Sequence, residues 1–206
     1  MIRENITRRK LFISLALKRV SPGSGSSQKF LNKRTWIHPV TNLKQIIQQT
    51  PFVIIGGIAT RLYMPERMTL DLDILVLAED APRLYQELQQ ANSQRLGNLS
   101  IGGTTWQLPD GTILDVIESD EPWVETAISS PQMSPDELPI IALPYLVILK
   151  LQASRAQDIA DISRMLGAAD ENTLSSVRAQ VLTYLPDAVE DLESLIVLGK
   201  LEYRGG

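Results

Sequence analysis

Nine residues of this chain, Thr69 to Leu77 (TLDLDILVL), narrow what it can fold into more than any other stretch. The run is mostly apolar, with β-branched Thr69, Ile74 and Val76, which predicts a central strand, yet it carries two acids at alternate positions, Asp71 and Asp73. Side chains at i and i+2 of a strand share a face. Two carboxylates side by side on an apolar strand repel and are costly to desolvate unless something positive lies between them. A second strand, Thr112 to Glu118 (TILDVIE), again has one acid in an apolar run, Asp115. If the two strands are neighbours, three carboxylates converge. Strand-end acids facing solvent are the plain alternative.

The chain offers few other routes to chemistry. It has no cysteine, so disulfides, zinc–thiolate sites and cysteine nucleophiles are excluded. Its one histidine, His38, makes a Ser-His-Asp triad or a multi-histidine metal site a poor fit. A metal here sits on carboxylate oxygens, which favours Mg²⁺ or Mn²⁺. Upstream, Phe52-Val53-Ile54-Ile55 reads as a buried strand ending in Gly56-Gly57, a tight turn whose backbone N–H groups can approach phosphate.

The remaining pattern gives a helix over 40–49, a short helix over 58–63 and a helix over 81–91. It also gives a hairpin over 99–108 around Gly102-Gly103, a helix over 124–129 and a strand over 138–141. Three helices follow over 143–166, 172–184 and 187–201. The expected fold class is α/β, an α+β mixed sheet with a helical C-terminal subdomain. The expected division is 1–34 as a basic arm and linker that need not be ordered, 35–141 as the α/β domain, and 142–206 as the helical subdomain.

Charge is uneven. The net charge is −4, but residues 1–34 hold nine basic residues and one acid, leaving 11 basic and 23 acidic residues in the rest. A basic arm suits nucleic acid or another anionic surface, or is simply a solvated extension. Arg8-Arg9 before an apolar run has the look of a twin-arginine export signal, but Leu11 to Leu17 is too short for a signal core or a membrane span. The expectation is a cytoplasmic protein with no membrane contact. Ser21 to Ser27 reads as a flexible linker, and Trp36 to Pro39 as the join to the domain. Trp106 and Trp123 read as core or cleft wall.

Taken together, Ile55-Gly56-Gly57, a spacer of thirteen residues, Asp71-Leu72-Asp73-Ile74 and the later Asp115 resemble the nucleotidyltransferase superfamily of DNA polymerase β type. Arg67-Met68-Thr69-Leu70-Asp71-Leu72-Asp73 is closer to the bacterial branch that contains the AbiEii-type toxins. Lys150, Arg155, Asp158 and Asp161 resemble that branch's helical motif, with Gln157 where a Lys is usual. The resemblance implies a nucleotidyltransferase fold and transfer of an NMP from an NTP to an acceptor hydroxyl. Asp71, Asp73 and Asp115 would be the catalytic and metal-binding acids, and Gly56, Gly57, Arg61, Arg67, Thr69 and Lys150 the nucleotide contacts. It implies Mg²⁺ or Mn²⁺ as cofactor, an NTP such as ATP as substrate, a tRNA or protein acceptor, and a toxin-like role with an antitoxin partner. Arg155, Asp158 and Asp161 read as a partly structural second motif, with a salt-bridged Lys150 as the alternative to a triphosphate contact. On a continuous helix, Asp161 lies about 20° around from Lys150. A small-molecule antibiotic nucleotidyltransferase of the aminoglycoside or lincosamide type, with Glu118, Asp120 and Glu121 facing a cationic drug, is a rival reading. An inactive regulatory homologue is another.

Overall fold

A computed structural model of the chain describes residues 2–21, 40–64, 69, 71–100 and 102–203. Of the expected arm and linker over 1–34, residues 1 and 22–34 lie outside the described residues, as do Trp36, His38 and Arg67. The chain divides into two compact units, one holding the sheet (35–61 and 66–142) and one helical (1–34, 62–65 and 143–206). The class is mixed α/β.

In the first unit, seven strands among the described residues form one mixed sheet. They are β1 (Val53–Ile55), β2 (Leu72–Leu77), β3 (Gln94–Asn98), β4 (Thr104–Gln107), β5 (Ile113–Ser119), β6 (Gln132–Met133) and β7 (Pro139–Ile140). Their order across the sheet is β3-β4-β5-β2-β1-β7-β6. β2 runs parallel to β5 and β1 parallel to β7; the other neighbouring pairs are antiparallel. The three central strands are central because their sequences are: Val53, Ile54, Leu72, Ile74, Leu75, Val76, Leu114 and Val116 are all fully or almost fully buried. Three helices interrupt the strands: α2 (Gly56–Thr60), α3 (Ala81–Gln90) and α4 (Val124–Ser129). α3 buries Ala81, Leu84 and Leu88, a spacing of three and four. The hairpin expected over 99–108 exists, but its first strand is 94–98, and the Leu99 N–H donates to the Gly103 carbonyl where the chain turns back.

The helix expected over 40–49 shrinks to a 3-10 turn at Leu43–Gln45. Its continuation is diverted by Glu87 of α3. The Glu87 carboxylate accepts the backbone N–H groups of Gln48 (2.6 Å), Gln49 (2.7 Å) and Thr50 (3.1 Å), leaving none of them for an α-helical bond. Burial works against this charge, but the Thr50 side chain and those three N–H groups outweigh it, holding the Glu87 carboxyl below its ordinary range. A depressed carboxyl contributes stability that is present above its unfolded pKa and is lost as pH falls through the folded value. Glu87→Gln is therefore expected to cost about 1–2 kcal/mol near neutral pH, partial exposure discounting the charge-assisted bonds. The difference from wild type should shrink as pH falls below the ordinary carboxylate range, which denaturant melts at several pH values would read.

The helical unit contains α1 (Ile2–Arg19), α5 (Leu143–Ala153), α6 (Ala156–Gly167), α7 (Glu171–Tyr184) and α8 (Val189–Tyr203). The single helix expected over 143–166 is two, broken at Ser154, whose φ is +52°. The basic segment, expected to open with a short amphipathic basic helix and not required to be ordered, begins with α1, which packs within this unit through a buried arginine. Arg9 donates from Nε to Asp191 of α8 (2.5 Å), from Nη1 to the Leu151 carbonyl of α5 (3.1 Å) and from Nη2 to Asp187 (3.3 Å). Of the segment's charges, this one serves packing, while Arg8, Lys10, Lys18 and Arg19 stay exposed. No helix among the described residues is long and apolar enough to cross a membrane.

α6 and α8 meet over glycine. A Cβ on Gly199 would stand 2.1 Å from the Ser163 carbonyl oxygen and 2.8 Å from the Gly167 nitrogen, all backbone atoms that cannot swing aside. Gly199→Ala gains helix propensity worth about 1 kcal/mol but forces the two helices apart, an overpacking cost of about 1–3 kcal/mol. The expected net result is a loss of stability in a thermal melt, the opposite sign from Gly→Ala on an exposed helix.

Candidate active site

Four strands place one residue each on a single transverse row. Ile55 ends β1 and pairs with Asp73 of β2; Asp73 pairs with Asp115 of β5; Asp115 pairs with Thr105 of β4. Register partners on adjacent strands, about 4.8 Å apart, project to the same side of the sheet. The two acids met separately in the sequence thus become direct neighbours, an arrangement that costs free energy unless positive charge or hydrogen-bond donors offset it. One donor comes from the outer flank: Thr105 Oγ1 donates to Asp115 Oδ1 at 2.7 Å. Nothing in the sequence marked Thr105. The hint available was the alternation Thr104-Thr105-Trp106, which sends Trp106 inward and Thr105 to the other face.

The opposite face is apolar and closed. Trp106 is 1% exposed, with its indole N–H donated to Thr104 Oγ1 at 2.9 Å, and its ring lies 5.5 Å from that of Tyr85 in α3. The Tyr85 hydroxyl donates to Glu118. Burial, and then the Glu118 carboxylate, push the Tyr85 hydroxyl above its ordinary pKa. Glu118 is three residues beyond Asp115 in β5, so it belongs to this second face. Trp123 is also 1% exposed, a core residue.

At the end of β1 the chain turns into α2 through Gly56, whose φ of +66° lies in the left-handed region. A Cβ there would also stand 1.9 Å from Asp73 Oδ2. Glycine is thus required twice, by the backbone and by the carboxylate lying against it. Gly57 is enclosed from another side: its Cβ would meet the Thr69 side chain at 2.9 Å. Arg61 Nη2 donates to the Thr69 carbonyl at 3.4 Å, and Arg61 is 9% exposed. Gly56 and Asp73 therefore meet, as do Gly57, Thr69 and Arg61.

Asp71 precedes the first paired residue of β2 and is exposed. Among the described residues, no group of three or more Asp, Glu or His side chains is arranged to hold a metal ion. The structure thus brings two of the three expected acids together and leaves Asp71 outside the pair. The donor set still fits a hard divalent cation: Mg²⁺ is commonly bound through one or two carboxylates plus substrate phosphates, without a complete protein cage.

Lys150, expected as a triphosphate contact or as a salt-bridged lysine, is buried. It is 6% exposed, and its Nζ donates to Asp158 Oδ1 (3.1 Å) and Asp161 Oδ2 (2.8 Å), themselves 3% and 0% exposed. Arg155 Nε donates to Asp158 Oδ2 at 2.7 Å, and Gln157 Nε2 to Asp161 Oδ1 at 2.7 Å. The group joins α5 to α6 across the break at Ser154, so the salt-bridged alternative describes Lys150 as it stands.

No protein-family model matches the chain, and no curated protein matches it. Among solved structures, the chain is similar to ANT(2'')-Ia in complex with adenylyl-2''-tobramycin, at 17% identity over 82% of this chain and 97% of that one, with a TM-score of 0.43. It is also similar to the Thermotoga maritima CCA-adding enzyme complexed with tRNA, at 14% identity over 84% of this chain and 52% of that one, with a TM-score of 0.38. A third is the Cid1 poly(U) polymerase, at 14% identity over 77% of this chain and 44% of that one, with a TM-score of 0.29.

Proposed function

We propose that the chain is a metal-dependent nucleotidyltransferase of the DNA polymerase β-like superfamily, moving an NMP from an NTP to an acceptor hydroxyl. The observation that carries this reading is the pairing of Asp73 with Asp115 on adjacent parallel strands, with the Asp73 carboxylate against Gly56. It is the juxtaposition that the order Gly-Gly, Asp-x-Asp, Asp requires.

Asp73 and Asp115, with Asp71, would hold the divalent cation, Mg²⁺ or Mn²⁺. The cation supplies charge neutralisation for the triphosphate and the leaving pyrophosphate. Gly56 and Gly57 keep side chains away from the turn so that phosphate oxygens reach the backbone N–H groups. Thr69, with Arg61 on its carbonyl, supports that turn, and Arg67 contributes a cation. The acceptor hydroxyl oxygen attacks the α-phosphorus and gives up its proton to Asp115. The α–β bridging P–O bond breaks and pyrophosphate leaves with those electrons.

The acceptor is a macromolecule, a tRNA end or a protein hydroxyl, in keeping with a toxin-like enzyme that an antitoxin would restrain in the cytoplasm. What supports this over a cationic antibiotic is the position of Glu118: one of the acids a drug cleft would need is bound to Tyr85 on the far face of the sheet. The exposed cations of α1 suit an RNA backbone. The test is incubation with Mg²⁺ and each labelled NTP in turn, offering total tRNA, a protein extract and an aminoglycoside. Label moving to tRNA or protein, and lost in Asp71→Ala/Asp73→Ala, is the expected result. Label on the aminoglycoside alone would reassign the acceptor, and no transfer to any acceptor would contradict the activity.

A further inference from the structure

We infer that Thr105 is a positioning residue of the proposed site, holding the Asp115 carboxylate in one orientation by donating Oγ1–H to Oδ1. The inference rests on the reading of Asp73 and Asp115 as cation ligands and extends it to a residue that no motif contains.

Three observations carry it. The hydrogen bond is short, 2.7 Å, and joins residues that are direct register partners, so backbone pairing fixes both ends. Its direction is fixed by chemistry: an ionised carboxylate only accepts, so the hydroxyl donates. Thr105 also sits on the side of Asp115 away from Asp73, since β5 lies between β4 and β2. One oxygen of Asp115 is thereby occupied from the outer flank, which limits the carboxylate's rotation and leaves Oδ2 as the oxygen that Thr105 does not engage. Beyond Thr105, the row ends in Gly97 of β3, where an added Cβ would meet nothing within 4 Å. No side chain from that strand substitutes for the Thr105 hydroxyl. Groups that orient ligand side chains from behind in this way commonly contribute 10–100-fold to metal affinity.

Thr105→Val removes the hydroxyl while keeping β-branching and volume, and Thr105→Ser keeps the hydroxyl while losing the methyl. The probe is Mn²⁺, titrated by electron paramagnetic resonance in the presence of a non-hydrolysable NTP, on the full chain, with thermal melts alongside. The expected result is Mn²⁺ affinity about tenfold weaker or worse in Thr105→Val and within about threefold of wild type in Thr105→Ser, with both variants melting near wild type. Equal affinity in Thr105→Val and wild type, or equal loss in both variants, overturns the positioning role while leaving the cation site intact. Absence of NTP-dependent Mn²⁺ binding in wild type itself removes the underlying reading, and this inference with it. If Thr105→Val melts early, Thr105→Ser against Thr105→Ala at a temperature where both are folded makes the same comparison.

Discussion

Asp73→Ala is expected to lower nucleotide transfer by about a thousandfold or more, about 4 kcal/mol of transition-state stabilisation, with the fold retained. The size follows from position. Asp73 is next to Asp115 on the parallel strand and its carboxylate lies against Gly56, so it links the paired acid to the glycine turn. It is part-exposed on a strand whose burial is carried by Leu72, Ile74, Leu75 and Val76, so removing it leaves the apolar packing in place. Removing one of two adjacent carboxylates also relieves their repulsion. The variant should therefore keep its fold while its turnover collapses. Steady-state assays and a melt on the same preparation check both halves.

Lys150→Met is expected to do the reverse, unfolding the helical unit rather than silencing chemistry directly. Its ammonium is shared by two buried aspartates, Asp158 and Asp161. Removing one member of a buried ionic group leaves the others uncompensated, at about 3–5 kcal/mol, or roughly 10 °C in a chain of this size. Arg155 and Gln157 soften the loss without replacing it, Arg155 being 73% exposed at its side chain. Adding Asp161→Asn to Lys150→Met should recover part of the stability, because it removes the stranded charge. A melting temperature unchanged in Lys150→Met would mean the buried group does not hold α5 to α6.

What could be read in the sequence followed from short-range rules. β2 and β5 were legible as apolar runs of strand length, and the Gly56 turn from its place after one such run. Asp73 and Asp115 stood out because an acid in an apolar strand needs a reason. What was not legible depended on pairing between distant segments. Thr105 is an ordinary strand threonine until register sets it beside Asp115. The loss of the helix over 40–49 depends on Glu87, some forty residues on, taking three backbone donors. The break at Ser154 lies in Gln152-Ala153-Ser154-Arg155, which has neither Gly nor Pro, and the buried pairing of Lys150 depends on it. Arg9 was one of nine cations in a basic segment, and its contacts with Asp191, the Leu151 carbonyl and Asp187 distinguish it.

The Asp73–Asp115 pair beside the Gly56 turn is proposed as a nucleotide site that works through a divalent cation. Its most direct test is calorimetric titration of the full chain with a non-hydrolysable NTP, with Mg²⁺ and with the metal chelated, in wild type and Asp73→Ala. Binding in wild type is expected to need Mg²⁺ and to be lost in Asp73→Ala. Binding that is indifferent to Mg²⁺ and to Asp73, or no binding of any NTP by wild type, would contradict it.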